Sequence, residues 1–564
     1  MKKYLSIGKS VLLVCALVAL NSCKDTWNEH YSFKETDSKY PVAKLSETLS
    51  DIDGFDKFCQ VLSTTRMCDK KGKPLNMTYM DLLDEDQFLT VWAPSNASLP
   101  DSLWQRYTAR NKSNAENQAV GEKFIMNHIA RFKHSVGAGT DEKIYMMNGK
   151  TYTSKPDAIA GKAYHSDDMN IRCSNGVLHC IDGYMDYLPN LYEYLTTDPV
   201  YKELFGNWFS SFTREELDPS RSVSQGKNDL GETVYLDSVM IESNVLMRRY
   251  AYIHSEDSTY SVVMPTPELW NTVYNRIRPS FRYAEKYLNN DSLQDFYTLT
   301  TMMSDMFYNM NPKVQRNLPD SVYSTLYNAS ENKRDGKPYH VFKNPYDKQT
   351  GLFGKSIDSV RCSNGTIYIV NEWPFADSLT YVRTIKLEAE SYNNLSGFSL
   401  RQHSVQIVGE DTLEKPVQVM RIAMPGMAAW TAKIWIGNHL SGKYSVKMVV
   451  APNNVDKMPN TLHPKITFNT PSVLDSVLVD SIERKQIKDK RGNISWIENE
   501  LLLENHIDRL DTFDLGIVNF PYCNYDMNSP RLAVTISSRV NELNSSKYTG
   551  ELWLDGIILT PVVE

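Results

Sequence analysis

Two stretches of the chain share one pattern of apolar and polar positions. Residues 90 to 99 and 261 to 270 each run as a short apolar strand, a Pro break and the start of a helix. The strands read Thr90-Val91-Trp92-Ala93-Pro94 and Ser261-Val262-Val263-Met264-Pro265. Each is answered downstream by one phrase, Arg172-Cys173-Ser174-Asn175-Gly176 in the first case and Arg361-Cys362-Ser363-Asn364-Gly365 in the second. Two features in the same order, twice, mark a duplicated domain.

The surrounding periodicity fills in each copy. Leu45, Leu49, Phe55, Phe58, Val61 and Leu62 fall three and four apart, which predicts helices packed on one face ahead of the first strand. Ser95 and Asn96 are expected to cap a helix carrying Leu99, Leu103 and Trp104. Asn175-Gly176 predicts a tight hairpin turn, since both central positions of such a turn take positive φ. In the second copy Leu191 to Leu195 and Tyr201 to Phe212 supply leading helices, and Tyr283 to Met310 read as helical. Pro267 stands where Asn96 stood, Asn371 stands where Asp182 closed the first copy, and a polar loop over 330–350 lengthens the second.

Beyond Phe375 the period changes from helical to two. Arg383 to Glu390, Lys443 to Val450, Arg531 to Ile536 and Glu551 to Leu559 alternate polar and apolar residues between Gly, Pro and Asn. That predicts an antiparallel β-sandwich of jelly-roll type over 376–564. The whole reads as an α+β multidomain chain, with α/β domains over 41–190 and 191–375 ahead of the sandwich.

Composition narrows the function. At 564 residues the chain exceeds one core, which agrees with three domains. A net charge of -7 gives no electrostatic case for nucleic acid. The 33 Tyr and 10 Trp residues would suit stacking on a sugar ring, although core and strand-surface positions account for most such rings. Six cysteines follow residue 23, none with CxxC spacing, and Cys173 and Cys362 hold equivalent places that point them into the two cores. There is no Gly-rich phosphate loop, HExxH or nucleophile elbow. His128 and His179 have Cys and Ser neighbours, but a fold-internal hydrogen-bonding role suits them better than a nucleophile set. The expectation is a protein that is not an enzyme.

Met1-Lys2-Lys3 followed by an apolar run from Val11 to Leu20 is too short to span a bilayer and reads as a signal peptide over 1–22. Leu20-Asn21-Ser22-Cys23 resembles a bacterial lipobox, which implies cleavage before Cys23 and lipidation of that Cys, with 23–40 as a tether. Lys24-Asp25 resembles the surface-export signal of Bacteroidetes lipoproteins. Asp-Ser-aliphatic triplets, at Asp101, Asp291 and Asp377 among others, resemble the O-glycosylation signal of the same phylum, and equally suit helix starts and turns.

The apolar strand with Ala93-Pro94-Ser95-Asn96, the Asn127-His128-Ile129 helix end and the Ser174-Asn175-Gly176-Val177-Leu178-His179-Cys180-Ile181-Asp182 hairpin resemble the fasciclin (FAS1) domain, the second copy being divergent. Leu387-Glu388-Ala389-Glu390, Gly442-Lys443-Tyr444-Ser445-Val446 and Trp553-Leu554-Asp555-Gly556-Ile557 resemble galactose-binding-like jelly rolls, including carbohydrate-binding modules. That second resemblance implies a structural calcium held by Glu388, Glu390 and Asp555, the competing reading being a solvated acidic edge. Trp496 and Trp435, and with them Trp430, are the candidate rings for a stacked ligand. Together these imply an outer-membrane, cell-surface lipoprotein for adhesion or glycan capture, beside SusC/SusD-type uptake machinery. A structural or assembly protein that contacts only other proteins is the alternative.

Overall fold

The computed structural model describes residues 42–69, 72–137, 141–217, 223–227, 233–237, 240–284, 290–312, 320–326, 341–390, 395–397, 400–407, 415–423, 430–453, 461–462, 465–469, 485–488, 494–497, 503–526, 532–538 and 551–562. Cys23, the signal and tether segments, and most of the 330–350 loop lie outside the described residues. Two compact units divide the chain, Met1–Pro189 and Asn190–Glu564. Among the described residues no helix is long and apolar enough to cross a membrane.

In the first unit, helices α1 (Leu45–Ser50), α2 (Asp56–Thr64) and α3 (Asp101–Thr108) accompany an eight-stranded sheet. Its strands are β1 (Leu89–Pro94), β2 (Ile129–Arg131), β3 (Glu142–Tyr145), β4 (Thr151–Ser154), β5 (Ala158–Ile159), β6 (Lys162–Tyr164), β7 (Ile171–Cys173) and β8 (Gly176–Asp182). The order is β2-β1-β8-β6-β5-β4-β3, with β7 also on β8. β1 and β8 are parallel, Leu89 facing Gly176. The two ends of the sheet meet: Ala130 bridges Met146 just past β3, and the Met147 N–H donates to Ile129 O at 2.8 Å. Closure removes an open edge and creates a second small core, in which Trp92, Ile144, Ile159 and Ile181 are buried apart from the helix-side core around Phe58 and Leu62.

Gly176 has a different role from the one the Asn-Gly pair predicts. The β7-β8 turn is made by Ser174 and Asn175, because Cys173 already pairs with Gly176. A Cβ on Gly176 would sit 2.0 Å from Leu89 O, so glycine is required by the approach of β1 rather than by φ. Asn175 is buried and ties three segments together, accepting from Leu45 N–H at 2.8 Å and donating to Leu83 O and Glu85 O. Asn96 differs from expectation too. Instead of capping α3, its side chain accepts from Lys57 N–H at 2.9 Å and donates to Asp56, so it ties β1's exit to the start of α2.

The second unit opens with α4 (Leu191–Thr197) and repeats the plan. β9 (Tyr260–Pro265), β10 (Phe307–Asn309), β11 (Asp358–Cys362) and β12 (Gly365–Val370) form a sheet ordered β10-β9-β12-β11, with α5 (Pro267–Ile277) and α6 (Asn290–Met303) beside it. Tyr260 faces Gly365 across parallel strands, and a Cβ there would again lie 2.0 Å from a carbonyl, that of Tyr260. Asn364 accepts from Leu191 N–H at 2.9 Å and donates to Ile253 O and Ser255 O, the same tie as Asn175. Pro267 is the first residue of α5, whose cap is Thr266, accepting from Leu269 N–H. The missing N–H of Pro is an orphan at that position anyway.

The sandwich completes this unit. One sheet holds β13 (Ile385–Glu388), β15 (Leu400–Ile407), β16 (Lys415–Ile422), β18 (Gly442–Val450), β20 (Asp511–Phe520) and β22 (Leu552–Pro561), ordered β15-β16-β22-β18-β20 with β13 also on β22. The other holds β14 (Leu395–Gly397), β17 (Thr431–Ile436), β19 (Lys465–Asn469) and β21 (Leu532–Ser537), ordered β14-β17-β21-β19. These strand pairs are antiparallel. Met448, Val450, Ile557 and Leu559 from the first sheet meet Ile434, Ile436, Val534 and Ile536 from the second in one core. The α+β multidomain architecture, with a β-sandwich after the α/β repeats, is thus the observed one. A bonded seam joins the second repeat to the sandwich: Cys523 N–H donates to Arg282 O at 2.7 Å, Ser441 N–H to Ser280 O at 2.9 Å, and the Tyr297 hydroxyl to Asp526 at 2.6 Å.

Candidate functional site in the sandwich

β13 alternates between core and surface. Leu387 and Ala389 enter the core, so Lys386, Glu388 and Glu390 emerge on the outer face of the sheet. Its partner β22 breaks its own alternation at the neighbouring position. Val449 pairs with Gly556 and Val450 with Leu554, which leaves Asp555 as the extra residue of a bulge. Asp555 O accepts from Ala389 N–H at 2.8 Å, and a Cβ on Gly556 would lie 2.4 Å from Leu387 O. The bulge and the bare Gly556 therefore let β13 close onto β22 beside the Asp555 carboxylate.

The electrostatics of this edge are unbalanced. Burial, and then the Glu388 charge, push the Asp555 carboxyl up to about 6, against the pull of Lys386. The Lys386 ammonium lies 2.9 Å from Glu388, and Glu390 Oε2 is buried with no hydrogen-bond partner. Hard oxygen donors short of positive charge fit a calcium-like cation. As placed, however, no three His, Cys, Asp or Glu side chains among the described residues are gathered closely enough to hold a metal ion. The sequence pattern alone does not mark Lys386 or Gly556 as part of this edge, although Lys386 shares the outward parity of Glu388 and Glu390.

The candidate rings separate. Trp435 is half-buried on the face of β17 opposite the core residues Ile434 and Ile436, facing Ala533 in register. Trp430 is only 2% exposed and belongs to the core, because it precedes β17 with the inward parity of Ala432 and Ile434. Trp496 lies on a strand over Ile494–Ile497, and its side chain is outside the described residues.

Elsewhere, groups with chemical potential are committed to the fold. His128 Nδ1 donates to Phe124 O at 2.8 Å and its Nε2 accepts from Met185 N–H at 2.9 Å. His179 Nε2 donates to His134 O at 2.9 Å, and its Nδ1 accepts from Asn170 N–H at 3.2 Å. Burial lowers both imidazoles to about 4. Cys173 and Cys362 are buried, as their equivalent places imply. Asp101, Asp291 and Asp377 each stand in the first turn of a helix.

No protein-family model and no curated protein sequence matches the chain. Among solved structures, a family 35 carbohydrate-binding module from Clostridium thermocellum aligns over 32% of this chain and 99% of its own, at 9% identity and a TM-score of 0.18. A xylan-binding domain of family 22 from Paenibacillus barcinonensis aligns over 32% and 96%, at 10% identity and 0.18. A FAS1 domain pair from the insect cell adhesion molecule Fasciclin I aligns over 58% and 97%, at 11% identity and 0.18. At these scores the likenesses add nothing to the architecture that the strand pairings define.

Proposed function

We propose that the chain is a non-enzymatic binding protein, held at the outer face of the outer membrane by lipid on Cys23 and capturing a glycan through its sandwich. Accessory service to a SusC/SusD-type uptake complex is the specific form of that reading. The observation that carries it is Trp435, a half-buried ring on a strand of the sheet, on the face away from the core that claims its neighbours. An aromatic face fixed by a sheet stacks on a sugar at little entropic cost. Glu388, Glu390 and Asp555 do not stand close enough together to hold a metal ion as placed; a calcium ion that drew them together would neutralise the acidic edge and tie β13 to β22, a supporting role rather than a catalytic one.

A polysaccharide panel tests this with the full chain. Trp435→Ala should weaken the best ligand roughly tenfold or more while leaving the melting temperature within a few degrees. An unchanged affinity removes Trp435 as the platform. Calcium should raise the melting temperature of the parent and not of Asp555→Asn; equal response in both would dismiss the cation. The second reading, a structural or assembly protein contacting only other proteins, is favoured by the bonded seam that makes a rigid spacer of the second repeat and the sandwich. Detergent extraction and copurification separate the two: a protein partner with no polysaccharide binding selects the spacer.

A further inference from the structure

One end of the first unit combines two costs at a single residue. Phe132, immediately after β2, has φ +69°, a conformation that penalises a bulky side chain, and its ring is 72% exposed. Glycine or asparagine would be cheaper there for the backbone, and any polar residue cheaper for the surface. The conformation is nevertheless held firmly. The buried Thr90 hydroxyl donates to Phe132 O at 2.8 Å and accepts from His134 N–H at 2.9 Å, while Phe132 N–H donates to Phe88 O at 2.8 Å. Phe88 is itself 52% exposed, with the Lys133 ammonium 4.2 Å from its ring centre.

The second repeat lacks this feature. Met310 N–H donates to Thr259 O at 2.8 Å in the equivalent place, so Thr259 and Met310 stand for Phe88 and Phe132, and Met310 is half-buried. The paired rings are thus no requirement of the fold.

The same end receives the chain from its N-terminal side. Ala43 O accepts from Ser174 N–H at 2.8 Å, Leu45 N–H donates to Asn175 Oδ1, and Asn175 O accepts from Leu89 N–H next to Phe88. Val42 is exposed there too. Arg131, Lys133 and Arg172 add exposed positive charge, while Asp84, Glu85 and Asp86, exposed just before Phe88, add negative charge, of which Lys44 offsets Asp86 at 3.5 Å. Between Cys23 and Val42 the chain can reach at most roughly 65 Å, and it is at this end that the described chain begins.

We infer that Phe88 and Phe132, with Arg131 and Lys133, form a membrane-facing surface that inserts rings at the headgroup level while the cations meet anionic lipid. Phe beside Lys and Arg is the composition of an interfacial contact, apolar in the acyl boundary and charged at the headgroups. The inference rests on the proposed lipid at Cys23 for its geometry, but the surface can be tested without that lipid.

The mature chain from residue 24, made without an acyl group, is floated with vesicles of phosphatidylethanolamine and phosphatidylglycerol. The parent should partition onto them, and Phe88→Ser with Phe132→Ser should bind about tenfold less or weaker still. Phe132→Gly removes the ring and the strain together, so it should melt no lower than the parent and still bind less. A parent that stays in solution, or a Phe132→Gly chain that binds as the parent does, overturns the surface. Loss of binding to a soluble acidic polysaccharide, with vesicle binding untouched, would also overturn it and assign the rings to glycan. Mass spectrometry of the Cys23 peptide from membrane extracts reads the anchor separately, so its failure cannot be mistaken for failure of the surface.

Discussion

In the first repeat the third residue after the Asn-Gly pair's Gly is His179, stacked on Trp92 at 5.6 Å; in the second it is Tyr368, stacked on Phe353 at 4.6 Å. The residue before the short second strand differs likewise, buried His128 against buried Met306. What both repeats keep is backbone logic: an Asn that bonds the leading helix and a Gly against a carbonyl. What they change is the filling. The first sheet wraps until Ala130 meets Met146, and the small core so formed is bordered by the His179 imidazole with both nitrogens bonded, while His128 packs on Phe58 and Phe124 in the helix-side core. The second packs an aromatic ladder, Tyr308, Phe353 and Tyr368, where those strands would be. A duplicated plan is therefore conserved at its tightest backbone contacts and free elsewhere.

Alanine at the two glycines tests the shared part and should have the largest effect. Gly176→Ala and Gly365→Ala each place a methyl 2.0 Å from a carbonyl that belongs to a parallel partner strand. Neither strand can move without breaking its register, so each should cost roughly 4 kcal/mol. Denaturant melts of the full chain, with proteolysis to show which unit opens, check this. If one glycine tolerates Ala within a kcal/mol, the two repeats are not built alike.

Acid should separate the repeats. His128 and His179 titrate near 4 in the folded first unit, against about 6.5 for an unfolded chain. Their contribution is complete above pH 6.5 and is lost as pH falls from 6.5 through 4, because the unfolded state then takes up protons that the folded state refuses. At pH 4.5 that amounts to about 2 kcal/mol for each imidazole. Hydrogen exchange corrected for intrinsic rates should show peptides over 124–131 and 176–182 losing protection between pH 7 and 4.5, with 260–264 and 365–370 changing less. The sandwich is a poor reference, since burial lowers His439 to about 4 as well. Equal loss in both repeats would dissolve the contrast.

Much of this plan was legible because apolar period and punctuation survive in single residues: the strands ending at Pro94 and Pro265, the buried Cys173 and Cys362, the change to period two after Phe375. The reasons behind two motifs were not. Asn175-Gly176 reads as a turn, and only the neighbouring strand, distant in sequence, shows that Leu89 O is what forbids a side chain. Trp430 and Trp435 look alike in a list of rings, and strand parity, which depends on where β17 starts, puts one in the core and one outside. Lys386 and the bulge at Asp555 escape for a related reason, since a bulge is a property of two strands and not of one. Closure of the first sheet rests on strands as short as Ala158–Ile159, below any periodic signal.

The smallest effect concerns the position where the two copies most visibly part, Asn96 and Pro267. Sequence comparison makes Pro267 the loss of a hallmark, yet each residue is suited to its own place. Asn96→Ala removes the acceptor of Lys57 N–H and the donor to Asp56, in a part-buried site, and should cost about 1 kcal/mol. Pro267→Ala leaves the Thr266 cap intact and forfeits only the restriction of the unfolded chain, so it should cost about 0.5 kcal/mol. Crossing them sharpens the point. Pro267→Asn should resemble Pro267→Ala, because α5 already begins there and, at the leading helix of this repeat, the Val200 and Tyr201 N–H groups already donate to Asp198. If Pro267→Asn instead stabilised the second unit, the proline would be a defect, and the second repeat a decayed copy rather than one refitted around a different helix start.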